Sequence, residues 1–316
     1  MTGRRAAWRL VAVVVIAAAA IGLVVAALRL GQPPGQGSDA TSPQAASTGA
    51  TTSASRQRHV WLIVLENRSY RQIVGSPAAP TINALAATYG LATNYHAVAR
   101  PSQPNYLALV SGSTEGITDD EIHDLAARTL LDQLDSAGLS WRVNAENVPA
   151  GCYRGAAASD GADGPGTYAR KHEPAISFTS VSGDATRCAR IGNLASFDPA
   201  AANFTLIVPN LCHDMHDCSV AAGDAWLKTF LPRITGSAAF ADGALLLITF
   251  DESHGDDAKQ HVALVYAGPS VQPGSRAGER ATHYTLLRTI EEAFGLPCLA
   301  QSCAAQPMPE LLGGRW

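Results

Sequence analysis

The side chains best suited to chemistry in this sequence follow short apolar runs. Glu66-Asn67 follows the run 59–65, and Asn210 with His213-Asp214-Met215-His216-Asp217 follows 204–208. Asp251-Glu252 follows 244–250, with His254 and Asp256-Asp257 close behind. Carboxylates, amides and imidazoles without thiolates suit a hard or borderline divalent cation. A single Asp-Glu after an apolar run is usually a turn, and a lone His-Asp pair is usually a surface hydrogen bond. Three such groups, each just past an apolar run, point to one metal-dependent hydrolytic site. A second signal is Arg100-Pro101-Ser102-Gln103-Pro104-Asn105-Tyr106 ahead of a helix-like stretch at 107–110. Two prolines restrict the backbone around Ser102. They present its hydroxyl just ahead of a helix N-terminus, where backbone N–H groups favour anions. A bound cation can activate such a serine towards a phosphate.

The apolar runs are continuous, as in strands covered on both faces. Strands are expected at 59–65, 139–143, 204–208, 244–250 and 262–267. Helices are expected at 81–89, ended by Gly90, and at 129–137, ended by Gly138. Two more are expected, one including 224–230 and one over 284–294, stopped by Gly295 and Pro297. This alternation predicts an α/β fold: a doubly wound, mostly parallel sheet with helices on both faces. Ligands of such sheets gather beyond the carboxyl ends of the strands, where the chemical groups above lie. Residues 151–190 are rich in Gly, Ala, Ser and Asp, fit no periodic element, and read as an insertion.

The chain of 316 residues is 47% hydrophobic, enough for one large core. Its net charge of −4 and lack of a basic stripe argue against nucleic acid as partner. Arg4, Arg5 and Arg9 precede an apolar run from residue 10 to 28, near the roughly 20 residues a bilayer crossing needs. Residues 1–30 therefore read as a signal anchor or a cleaved signal peptide. Either places the remainder outside the cytoplasm, anchored at the cell membrane or secreted. Residues 31–58 have the composition of a flexible tether, and the catalytic domain is expected over 59–316. The six cysteines all follow the tether. Export favours disulfides, and proximity pairs Cys212 with Cys218 and Cys298 with Cys303, leaving Cys152 for Cys188 across the insertion.

The strings Glu66-Asn67-Arg68-Ser69-Tyr70, Pro101-Ser102-Gln103-Pro104-Asn105-Tyr106, Lys171-His172-Glu173-Pro174, Asp214-Met215-His216-Asp217 and Asp251-Glu252 resemble the bacterial phosphoesterase family of acid phosphatases and phospholipases C. The resemblance is strongest to secreted mycobacterial acid phosphatases acting on phosphoinositides. It implies an alkaline-phosphatase-like fold and hydrolysis of phosphate monoesters through a phosphoserine at Ser102. It further implies a divalent metal held among Glu66, Asn67, Ser102, Asp214, His216, Asp251, Glu252 and His283. Lys171 and His172 would act on the phosphate or the leaving group, and Asn67 and Asn105 would bind substrate. The implied partner is a phosphorylated small molecule or a phospholipid headgroup, with the membrane reached through the N-terminal segment. His254 and His261 are further candidate ligands, although a surface position or a supporting role behind the ligands is the favoured reading for each. A phosphodiesterase, a serine esterase and a tethered binding module are the competing readings. The absence of any G-x-S-x-G counts against the esterase.

Overall fold

The computed structural model describes residues 59–159, 167–255 and 257–312. The expectations for residues 1–58 lie outside these residues. Among the described residues no helix is long and apolar enough to cross a membrane.

Strand β1 (Val60–Leu65) is buried along its whole length, which is why its sequence is an unbroken apolar run. It lies between two parallel neighbours, Phe204–Val208 and Leu245–Phe250, pairing Ile63 with Ile207 and with Ile248. In chain order the other strands are β2 (Gly90–His96), β3 (Trp141–Ala145) and β4 (Ile191–Asn193). The two neighbours of β1 become β5 and β6, followed by β7 (His261–Ala267), β8 (Ser275–Ala277) and β9 (Ala281–Thr282). The sheet runs β8-β2-β7-β6-β1-β5-β3-β4, with β9 also on β2. It is mostly parallel, as expected, but β7 runs antiparallel to both β6 and β2. The helices fall into two packed groups. Helix α1 (Pro80–Thr88) packs on α4 (Val220–Phe230), while α2 (Ser102–Ser111) packs on α5 (His283–Phe294) and on α3 (Leu130–Ser136).

Because β5, β1 and β6 are adjacent and parallel, their carboxyl ends meet at one edge. Neighbouring strands lie roughly 4.8 Å apart, so Glu66, Asp251 and the loop after β5 must crowd together. The backbone locks this convergence: Glu66 N–H donates to Asp214 O (2.8 Å) and Asp251 N–H to Leu65 O (2.9 Å).

Several expected boundaries shift. The strand expected at 139–143 forms two residues later, at Trp141–Ala145. Helix α4 starts at Val220, where the Ser219 hydroxyl accepts from Ala222 N–H. Gly90 does not cap a helix; it begins the unforeseen strand β2. The described part of the insertion holds a two-stranded hairpin, Ala157–Ala158 with Tyr168–Ala169, and short helical turns. All six cysteines pair as their spacing suggests: Cys152–Cys188, Cys212–Cys218 and Cys298–Cys303.

Gly90 is required by close approach, since a Cβ there would overlap the ring of Tyr266 on β7 and meet Ser275 Oγ at 2.7 Å. The substitution Gly90→Ala is expected to cost about 1–3 kcal/mol through overpacking, read from the denaturant midpoint. An unchanged midpoint would show that the β2–β7 contact is loose.

Candidate active site

Ser102 is the first residue of α2, a helix buried along its whole length, and not a residue ahead of it as the sequence suggests. The approach to Ser102 is held by Asn105. Its Oδ1 accepts from Val98 N–H (3.0 Å) and Ala99 N–H (2.9 Å), and its Nδ2 donates to Ala99 O (2.9 Å) and Pro101 O (3.2 Å). Asn105 was expected to bind substrate; with both ends of its amide committed to this loop, it is a positioning residue. The Arg100–Pro101 peptide bond is cis. Ser102 Oγ donates to Glu66 Oε2 at 3.1 Å.

Glu66, fully buried at the end of β1, also accepts from Tyr106 OH on Oε1 (2.6 Å) and from Asn67 Nδ2 on Oε2 (3.1 Å). The Asn67 backbone N–H donates to Asp251 Oδ1 at 2.9 Å, which ties the ends of β1 and β6 together. His172, from the insertion, stacks on Tyr106 with ring centroids 5.2 Å apart. Its Nε2 lies 3.2 Å from Glu66 Oε1 and its Nδ1 lies 3.3 Å from Asp214 Oδ2. These approaches are close, yet neither His172 Nε2 nor Asp214 Oδ2 has a hydrogen-bond partner. The contacts are therefore misaligned for hydrogen bonding.

The loop after β5 folds tightly. Asn210 Oδ1 accepts from Cys212 N–H and His213 N–H, the Cys212–Cys218 bridge closes the turn, and Met215 takes a positive φ of 80°. Arg68 clasps the loop from outside, donating to Met215 O (2.5 Å) and Cys218 O (3.0 Å). The fold turns Asp214 and His216 inward, while His213 points away, bonded to Glu146 (2.8 Å) and stacked on Trp226. One ligand atom each from Glu66, His172 and His216 lies within 4.8 Å of the others.

Two residues assigned as metal ligands sit differently. His283 is fully buried with both ring nitrogens engaged, Nδ1 with Tyr95 OH (2.7 Å) and Nε2 with Asp251 O (2.6 Å). It therefore supports the Asp251 backbone and has no nitrogen left for a cation. Glu252 lies 3.5 Å from Arg100, which also donates to Ser253 O (2.7 Å). Lys171 was expected to reach a phosphate, and its Nζ donates to Asp120 Oδ2 at 2.9 Å. Asp120 was not anticipated; its Oδ1 accepts from Gln103 N–H (2.9 Å), so one carboxylate links Lys171 to the first turn of α2. It sits in an acidic loop with no periodicity to single it out. Tyr106 was readable in principle, one helical turn beyond Ser102 and so on the same face.

Four carboxyls converge here with little positive charge between them. Burial, then repulsion from Asp251 and Asp214, holds Glu66 well above the usual carboxylate range. Burial likewise raises Asp214, and raises Asp251 and Glu252 each to about 7. Burial, with the Lys171 charge next, holds His172 well below an ordinary imidazole and hence neutral. Burial drops His283 to about 4. The ammonium of Lys171 is pulled down by burial but ends above its ordinary value through the Asp120 bond and charge. Asp214 Oδ2, Asp251 Oδ2, Glu252 Oε2 and His172 Nε2 are all buried without hydrogen-bond partners. Buried polar atoms left without hydrogen bonds are rare unless they bind metal or water. Orphaned carboxylate oxygens beside a neutral imidazole match the donor set of a divalent cation. A cavity of about 670 Å³, lined in part by Thr282, Tyr284 and Met308, contains none of these groups.

The model of the phosphoesterase family matches residues 76–297. The phosphatidylinositol-3-phosphatase of Mycobacterium tuberculosis is 34% identical over 257 residues, covering 81% of this chain and 83% of that protein. An acid phosphatase of Aspergillus fumigatus is 30% identical over 257 residues, covering 78% of this chain but only 56% of its own length. Among solved structures, the phosphonate monoester hydrolase of Agrobacterium radiobacter superposes with a TM-score of 0.54 at 13% identity, covering 82% of this chain and 78% of that one. At that identity the likeness speaks for the fold alone.

The raised carboxyls set a pH dependence for the metal-free protein. Each binds its proton more tightly folded than unfolded, so its stabilisation is complete below about pH 4 and is lost as pH rises through the folded value. The depressed imidazoles of His172 and His283 act oppositely, but their contribution is complete above about pH 6.5. In chelator the melting temperature is therefore expected to fall between pH 6.5 and pH 8.5. A rise across that interval would contradict the buried carboxyl cluster.

Proposed function

Because the chain belongs to the phosphoesterase family, we propose that it hydrolyses phosphate monoesters by attack of Ser102 Oγ on phosphorus. The observation that carries this reading is the placement of Ser102. Its hydroxyl heads a buried helix and donates to Glu66, amid orphaned carboxylate oxygens and a neutral imidazole. A nucleophile within hydrogen-bond reach of a candidate base is the minimal arrangement for covalent catalysis.

In this reading Ser102 Oγ forms a bond to phosphorus as the bond to the leaving-group oxygen breaks, giving a phosphoserine and an alcohol that departs with the proton relayed from Ser102. The hydroxyl proton passes along the existing hydrogen bond to Glu66 Oε2. Glu66 Oε2 is the acceptor already in place for that proton. Water then cleaves the phosphoserine, releasing phosphate and restoring Ser102. Lys171, oriented by Asp120, places a cation against the carboxylate cluster and beside the developing phosphoryl charge. Tyr106 and Asn67 fix the Glu66 carboxylate from both oxygens. A divalent cation held by Glu66, His172 and His216, with Asn67, Asp214 and Asp251 at its margin, would supply the charge that lowers the serine pKa and screens the phosphate dianion.

The Mycobacterium tuberculosis relative supports phosphoinositide headgroups as one member of the substrate class, and the Aspergillus relative supports an acidic optimum. Three disulfides support an extracytoplasmic site of action, reached through the N-terminal segment as a signal peptide or membrane anchor.

The test is phosphate release from phenyl phosphate and from the matching diester, by the protein and its Ser102→Ala variant. Monoester turnover is expected to fall roughly a thousand-fold or more in the variant. Chelation is expected to suppress turnover and added divalent cation to restore it. Diester turnover without monoester turnover would move the assignment to a phosphodiesterase. Undiminished turnover in Ser102→Ala would remove the nucleophile.

A further inference from the structure

A second cavity, of about 430 Å³, is lined by residues that follow the catalytic cluster along the chain. Its walls include Arg71 and Lys259, with Tyr70, His254, Asp257 and His261. None of these takes part in the chemistry above. Its position follows from the chain. Ser69, also in the wall, is two residues beyond Asn67, whose N–H holds Asp251, and His254 is three residues beyond Asp251. Consecutive Cα atoms lie about 3.8 Å apart, so the Cα atoms of Ser69 and His254 lie within roughly 8–11 Å of those of Asn67 and Asp251.

The cavity is built rather than incidental. Its floor is a ladder of rings: Tyr70 stacks on His261 at 4.2 Å, and His261 stacks on His96 at 5.0 Å. Thr93 O and Lys259 O hold the two imidazoles at 3.1 Å and 2.6 Å. The far wall is the loop after β6. Asp257 accepts there from Lys259 N–H (3.0 Å) and His261 N–H (3.2 Å), and Ser253 N–H donates to Gln260 Oε1 (3.0 Å). The one carboxylate among the described residues of the wall thus spends its charge on backbone donors, lying below its ordinary pKa despite some burial because of those bonds. Across from this loop stands Arg71, on the short helix Tyr70–Ile73. Among the described residues, no carboxylate lies within ion-pair distance of the Arg71 guanidinium or the Lys259 ammonium. Two cations lining one cavity over an aromatic floor form a receptor for a second anionic group.

We propose that this cavity is a subsite for a second phosphate on the substrate, held by Arg71 and Lys259 while the scissile phosphate lies at Ser102. The inference rests on the phosphomonoesterase reading and narrows it to substrates carrying two phosphate groups, with the second phosphate adding affinity without entering the reaction.

Binding separates this inference from catalysis. Phenylphosphonate and 1,4-phenylenebisphosphonate, which are not hydrolysed, are titrated calorimetrically into the full-length protein and into an Arg71→Gln/Lys259→Gln double variant. The protein is expected to prefer the bisphosphonate about tenfold, a preference that weakens with salt and disappears in the double variant. Turnover of phenyl phosphate is expected to stay within about twofold of the parent protein, on the same energetic scale. Equal affinity for the two phosphonates, or a preference that survives in the double variant, would overturn the subsite. A preserved preference in a protein that never turns over phenyl phosphate would instead overturn the phosphatase reading.

Discussion

The structure is organised around the convergence of negative charge at the end of β1. Glu66 lies on the middle strand of three parallel neighbours, so the groups that follow β5 and β6 are forced against it. Asp214 and Asp251 are held there by backbone hydrogen bonds to residues 66 and 65. Leaving several carboxylates dry and close together is costly unless protons or a cation offset the charge. The fold tolerates this because the strands beneath are continuous apolar runs that contribute stability elsewhere.

The remaining devices keep that cluster aimed at Ser102. Asn105 and Tyr106 lie on the same helix as the serine, one fixing the loop before it and the other fixing Glu66. Asp120 joins the first turn of that helix to Lys171. His172 enters from the insertion, whose Cys152–Cys188 bridge closes a long excursion from the sheet. His283 reaches up from α5 to the carbonyl of Asp251. Residues from widely separated stretches of chain therefore depend on one sheet edge for their mutual distances, an arrangement that favours precision over mobility.

Much of this architecture was legible. Strands buried on both faces announce themselves as apolar runs, and β1, β5 and β6 lie where those runs predict. The polar groups just past them are the ones that meet. Strand β2 was not legible, because Gly90-Leu91-Ala92-Thr93-Asn94 alternates poorly and Gly90 imitates a helix cap. The antiparallel direction of β7 was equally hidden, since a buried strand has the same composition in either sense.

At the site, residue type alone misassigned two groups. Asn105 and His283 are the kinds of residue that bind ligands, yet each spends its hydrogen-bonding capacity inside the protein. Asp120 carried no signal, because its importance lies in two partners 17 and 51 residues away. The sequence by itself determined the chemical inventory, the apolar strands and the cysteine pairs, because each depends on composition or short spacing. Only the tertiary structure decided which inventory members face one another. That outcome rests on strand order, helix packing and the hydrogen bonds that either free a side chain for chemistry or consume it.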